Sequence, residues 1–225
     1  MSELEEQIAT AEKEWIEAWK QGPTRTRWTK IPLQVGDTAP DFELLDSKGK
    51  PVLLSSFWYE KPALLLFWRH YGCSCGRERA ARLQNEHAQY IELGANVVVI
   101  GQGEPERAAA YAEKNKIACP VLCDPTYKVY EAYDLLEGKP SQIVFDATDE
   151  LLKCEFEAGK ELHNSRHGTD RALVDSPWQL PGEFVVDKNG VVRLAYRYQY
   201  CEDWSNPLVL IAAIKEAMWE PKKIN

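Results

Sequence analysis

Two cysteines one residue apart, Cys73 and Cys75, stand in the run Phe67-Trp68-Arg69-His70-Tyr71-Gly72-Cys73-Ser74-Cys75-Gly76-Arg77. The attacking form of cysteine is the thiolate, and an ordinary thiol ionises near pH ~8.5. What surrounds the pair therefore decides its reactivity. Upstream, residues 62–68 form a continuous apolar run, the pattern of a strand buried on both faces. Downstream, a stretch rich in Ala, Glu, Arg, Gln and Leu predicts a helix over 76–93. The pair falls at or just before the first turn of that helix, where unpaired amides and the helix dipole favour a negative charge by roughly 0.3–1 kcal/mol. Arg69 and Arg77 add cations that can stabilise a thiolate. His70 reads either as a base for Cys73 or as a polar cover on the loop. A Cys-x-Cys ring is tight, which suits a labile, cycling bond and not a structural staple.

The other chemistry-bearing residues read more plainly. Cys119 and Cys123 flank an apolar tripeptide and have the character of small buried hydrophobes. Cys154 lies in a segment that can fold over the pair, and Cys201 in a polar loop after the last strand. Each is an alternative partner for Cys73. A zinc site from Cys73, Cys75, Cys119 and Cys123 would have an uncommon ligand spacing. His163 and His167 sit among Asn, Ser, Arg and Gly, a surface-loop composition. Gly101-Gln102-Gly103 follows a strand but lacks the third glycine and downstream acid of a dinucleotide motif. Arg197 follows the closing strand and either points toward the site or marks an exposed end.

Several elements must position these residues. Leu4, Ile8, Ala11, Trp15, Ala18 and Trp19 recur at helical spacing, so residues 2–20 predict an amphipathic helix that docks on the body or on a second subunit, a homodimer. Gly22-Pro23 ends it, and 24–34 reads as an extended linker. A hairpin follows around Asp46-Ser47-Lys48-Gly49-Lys50. After the strand at 62–68 and the cysteine-bearing helix come a strand at 95–101, a helix at 105–115, a strand at 120–123 and a helix at 127–133. Such alternation implies a mostly parallel sheet covered on both faces. Residues 134–176 break the rhythm and read as an insertion near the active face. A second hairpin turns at Lys188-Asn189-Gly190, and a helix over 207–219 closes the chain.

Composition narrows the class. The chain has 225 residues, 44% apolar and 28% charged, enough for a substantial core in a single domain. A net charge of −8 argues against nucleic acid as a partner. No segment approaches the ~20 apolar residues of a membrane span. The opening Met-Ser-Glu-Leu-Glu-Glu has no apolar signal core, so we expect a cytoplasmic location, where thiols stay mostly reduced.

The order of elements, with three motifs, resembles the peroxiredoxin-like branch of the thioredoxin fold, the AhpC/TSA superfamily. Gly36-Asp37-Thr38-Ala39-Pro40-Asp41-Phe42 is similar to the family's opening motif. Residues 67–73 are similar to its active-site strand and loop. Trp178-Gln179-Leu180-Pro181-Gly182-Glu183-Phe184-Val185-Val186-Asp187, with Val191-Val192-Arg193, resembles the closing hairpin of the selenoprotein-L-like subgroup. The likeness covers 35–133 and 177–219. It implies an α/β thioredoxin-like fold with a central mixed sheet flanked by helices, an N-terminal helix, and an insertion before the last hairpin. It also gives Pro181 the place of the cis-proline that faces the redox cysteine.

The resemblance implies a thiol-dependent oxidoreductase with no bound cofactor. Cys73 attacks a hydroperoxide or a disulfide, Cys75 resolves it, and a thioredoxin- or glutaredoxin-type partner supplies electrons. Two departures bear on the substrate. In a Pro-x-x-x-Thr-x-x-Cys register ending at Cys73, the Pro and Thr places hold Leu66 and His70; ending at Cys75, they hold Trp68 and Gly72. The arginine expected before the last strand pair aligns with Pro181. The rival reading is a redox-sensing or protein-binding module without turnover on the same scaffold.

Overall fold

The computed structural model describes residues 13, 17, 21–139, 142, 143 and 175–219. Its elements are β1 (Glu43–Asp46), β2 (Pro51–Leu53), a single 3-10 turn (Leu54–Phe57), β3 (Ala63–Phe67), α1 (Ser74–Glu92), β4 (Asn96–Gly101), α2 (Pro105–Lys114), β5 (Val121–Cys123), α3 (Lys128–Ala132), β6 (Gly182–Val186), β7 (Val192–Arg197) and α4 (Pro207–Met218). The seven strands form one sheet in the order β2-β1-β5-β4-β3-β6-β7. The amphipathic helix expected over 2–20, and with it the dimer reading, falls almost wholly outside the described residues. So does most of the 134–176 insertion, including Cys154, His163 and His167.

Only β3–β4 and β4–β5 pair in parallel, so the sheet is mixed and less parallel than the strand-helix alternation suggests. The difference comes from the two hairpins. β1–β2 joins β5 antiparallel at one end, and β6–β7 joins β3 antiparallel on the other side. The second hairpin turns where expected, with Gly190 at φ 76° and the Asp187 carboxylate accepting from the amides of Asn189 and Val191.

Strand alternation splits the core in two. Leu64, Leu66, Val97 and Val99 face a layer made with Leu83 and Tyr90 of α1, Ala108 and Tyr111 of α2, and Leu210 and Ile214 of α4. Leu65, Phe67, Val98 and Ile100 face the other way, onto Leu54, Trp58, Tyr130, Tyr133 and Phe184. All five β3 residues are buried. Full burial contributes about 1.5–3 kcal/mol per large aliphatic side chain, which makes this strand the most strongly held platform available for the loop that follows it.

The 24–34 linker is tied down along its length. Thr24 and Arg25 donate their amides to Glu137 Oε2, Leu33 donates its amide to Asp134, and Arg25 reaches Gln179 Oε1. These contacts secure the near end of the insertion to the core. Among the described residues no helix is long and apolar enough to cross a membrane.

Candidate active site

Cys73 is the N-cap of α1 and Cys75 lies in its first turn, two positions earlier than the sequence pattern starts the helix. The helix begins there because the Cys73 amide donates to the His70 carbonyl, closing a turn directly off β3. Gly76 is what lets that first turn press on the sheet. A Cβ there would sit 2.9 Å from the Tyr111 hydroxyl and 3.1 Å from Trp68 Nε1, two groups hydrogen-bonded to each other. The two cysteines are joined by a disulfide, with Cα atoms 5.4 Å apart. Both are buried.

The cation at the sulfurs is Arg69. Its Nη1 donates to Cys73 Sγ at 3.1 Å, to Cys201 Sγ at 2.9 Å and, more distantly, to Cys75 Sγ at 3.9 Å, while Nη2 holds the Pro177 carbonyl. Arg69 is 2% exposed, and among the described residues no carboxylate pairs with it. A buried guanidinium without a carboxylate is costly, by several kcal/mol, unless another group carries the compensating charge. Here the groups within reach are sulfurs, which can carry that charge only as thiolates, two of them after the Cys73–Cys75 bond is reduced. Arg77 is half-exposed on the next turn of the helix. His70 is buried at 3% exposure, and its carbonyl shapes the loop.

Cys201 is the residue whose place the sequence conceals. Its loop looks polar and exposed, yet Cys201 packs with Cys73, Cys75, Ile143, Trp178 and Leu180 in one buried cluster. A buried carboxylate brings it there. Glu183 of β6 accepts from Tyr198 OH at 2.8 Å and from the Ser205 hydroxyl, at the two ends of the 198–205 loop. The same carboxylate takes Arg79 Nε of α1 at 2.9 Å, and Arg79 also pairs with Glu86. Burial pushes the Glu183 carboxyl up from its ordinary value, with Arg79 opposing. The sequence does carry a signal for this: one acid inside the apolar run of β6. Below Glu183 a small cavity is lined by Arg69, Cys75, Gly76, Pro181, Cys201 and Trp204, among others.

Pro181 lines that cavity beside Cys75, but the cis bond expected there is not present, since no described peptide is cis. The reason is local pairing. The Leu180 amide donates to Leu136 O and the Pro181 carbonyl accepts from the Tyr198 amide, so the chain enters β6 already extended. Arg197 turns away from the sulfurs, donating to the carbonyls of Tyr133 and Leu33. Cys119 and Cys123 are buried apart from the pair, and burial pushes both thiols up to about 12.

The glycines at 101 and 103 seat the cysteine loop. A Cβ at either would collide with Tyr71, whose ring stacks on Tyr111 with centroids 4.5 Å apart. Asp175, at the far end of the insertion, accepts the Tyr71 amide and forms a two-pronged pair with Arg107 at 2.7 Å per contact. Both ends of the insertion thus meet at the cysteine loop.

An α/β sheet of this order, with a cysteine pair opening the helix after its central strand, is a thioredoxin-like redox fold. The chain belongs to the AhpC/TSA family, whose profile matches residues 35–195. It is 29% identical to Peroxiredoxin Q, chloroplastic, of Sedum lineare over 79% of this chain and 76% of that protein. It is 32% identical to the thiol-disulfide oxidoreductase ResA of Geobacillus kaustophilus over 54% of this chain and 69% of that protein. With the Arabidopsis thaliana Thioredoxin-like protein AAED1, chloroplastic, it shares 28% identity over 56% of its length, spanning half of that relative. Among solved structures it resembles the peroxidoxin BcpB of Mycobacterium tuberculosis, with a TM-score of 0.57 at 18% identity over 84% of this chain and 99% of that one.

Proposed function

We propose that the chain is a dithiol oxidoreductase that reduces hydroperoxides through a Cys73 thiolate, with Cys75 as resolving thiol. The observation that carries this is the guanidinium of Arg69, buried against both sulfurs at the start of α1. It supplies from strand β3's end the positive charge that the sequence lacks at Pro181. The Cys73 thiolate attacks the peroxide oxygen and becomes a sulfenic acid, while the alkoxide or hydroxide leaves and takes a proton. Cys75 then condenses with the sulfenic acid, forming the disulfide and releasing water. A thioredoxin- or glutaredoxin-type dithiol returns the pair to the reduced state, itself becoming a disulfide. Because Cys73 is fully buried, a small oxidant fits this first step better than a folded protein disulfide does.

A second reading, disulfide exchange, is favoured by Leu66 and His70 standing where peroxidases of this family have Pro and Thr, and by the likeness to ResA. We read the working compartment as a reducing one, cytoplasmic by sequence; the chloroplastic location in two relatives' names belongs to those relatives. The test is the rate at which fully reduced protein reacts with one equivalent of hydrogen peroxide, followed by tryptophan fluorescence. Fast oxidation that disappears in Cys73→Ser establishes the peroxidase. A rate no better than that of a small free thiol removes it in favour of exchange.

A further inference from the structure

One nitrogen, Arg69 Nη1, touches the sulfurs of both Cys73 and Cys201. The same nitrogen lies 3.9 Å from Cys75 Sγ, so all three sulfurs gather around one cation. Cys201 is not in a disulfide. Its loop is anchored at Tyr198 and Ser205 to the buried Glu183 carboxylate of β6, so this proximity is built into the fold. Arg69 also sets a cation in contact with the Cys201 sulfur, the kind of neighbour a reactive thiolate needs. Finally, the cavity wall contains Cys75 and Cys201, with Cys73 behind it at the helix cap.

From this arrangement we propose that Cys201 is a third redox thiol, which takes over the disulfide by attacking Cys75 and releasing Cys73. The Cys201 thiolate donates its electron pair to Cys75 Sγ, the Cys75–Cys201 bond forms, the Cys73–Cys75 bond breaks, and its pair leaves on Cys73. One disulfide is exchanged for another with no net oxidation and no outside reactant. Direction follows from the leaving group: exchange expels the sulfur whose thiolate is better stabilised. Of the two bonded sulfurs Cys73 has the closer contact to Arg69, at 3.1 Å against 3.9 Å for Cys75. Cys201 shares that cation at 2.9 Å, so it is the place at the helix cap that favours Cys73 as the released thiolate. The exchange returns the buried nucleophile to its reactive form and moves the oxidised bond onto the two cysteines that line the cavity. This relay rests on the reading of Cys73 and Cys75 as the working dithiol.

The test separates the relay from peroxidase activity. Cys73→Ser protein is oxidised with diamide, which needs no peroxide chemistry, then digested with trypsin. Cleavage after Arg69 and Arg77 leaves Cys75 in the peptide 70–77, and cleavage after Arg197 and Lys215 leaves Cys201 in 198–215. The expected result is that most chains carry these two peptides cross-linked, and that the cross-link is absent in Cys73→Ser/Cys201→Ser. Cys75 and Cys201 both alkylatable, with no cross-link between their peptides in folded Cys73→Ser protein, overturn the relay, whatever the peroxide rate of the wild type. In the wild type, the relay lets the protein consume a second equivalent of peroxide without reductant. Cys201→Ala should stop after one, and identical stoichiometry in the two proteins also overturns it.

Discussion

Replacing Arg69 with Met removes its guanidinium from the sulfurs while keeping a long apolar stem. At 3.1 Å from Cys73 Sγ, a unit charge in a medium of effective dielectric ~20 interacts with a thiolate by about 5 kcal/mol before desolvation is subtracted. Desolvating Arg69 and the sulfur offsets much of that. An opposite charge at such range typically leaves a net preference for the charged form of ~1–3 pH units. The sign is fixed: without the cation the thiolate forms only at higher pH. At a pH below its onset, the alkylation rate of Cys73 in reduced Arg69→Met protein should fall by roughly 10–1000-fold. The assay is monobromobimane labelling across pH, read on the peptide that contains Cys73, with circular dichroism as the check on folding. Arg69→Lys, which keeps a charge but not the planar fork, should recover most of the reactivity. An Arg69→Met onset that overlays the wild type refutes the charge argument. So does an Arg69→Lys protein as impaired as Arg69→Met.

Three other outcomes follow from the core. Cys119 and Cys123, with thiols raised by burial, should stay unlabelled by iodoacetamide at about pH 8 in native protein and label fully in guanidinium. Glu183→Gln removes one of the two carboxylates that hold Arg79 and leaves Glu86 in place. Since the Glu183 carboxyl is raised in the fold, its stabilising contribution is present at low pH and declines as pH climbs from the ordinary carboxylate range through the raised value. Glu183→Gln should flatten that part of the stability-versus-pH curve, and an unchanged slope removes the assignment. The Tyr71 hydroxyl is buried without a hydrogen-bond partner among the described residues. Tyr71→Phe should therefore leave stability unchanged or raise it by up to about 1 kcal/mol in urea unfolding, and a clear loss means the hydroxyl is used.

The platform and the reactive pair were legible because they are local. An apolar run into a helix-forming stretch sets β3 and α1, and two cysteines at that junction have to lie near the cap. The Lys188-Asn189-Gly190 turn was equally readable, since its backbone demands Gly. What could not be read is what non-local contacts decide. Arg69 and Arg77 are equally far from Cys73 along the chain, and the β3 end and the loop turn put Arg69 on the sulfurs. Cys201 looked like part of a polar loop because the sequence around it is polar; a carboxylate nearly twenty residues earlier draws that loop inward. Gly101 and Gly103 lack the rest of a dinucleotide motif in sequence, but their purpose, space for an aromatic ring thirty residues upstream, needs the packing to be seen. The cis reading of Pro181 failed because strand pairing on both sides of the bond fixed an extended entry.

The two bonded cysteines are only two positions apart in sequence. A cross-link stabilises a protein chiefly by shrinking the freedom of its unfolded chain, and closing so short a ring removes little, less than the ~3 kcal/mol expected for a 15-residue loop. The bond can therefore be made and broken on every cycle without loosening or tightening the whole molecule. Its electrons are exchanged against a scaffold whose thermal midpoint barely notices, which leaves the pair's own environment to set how readily it is oxidised.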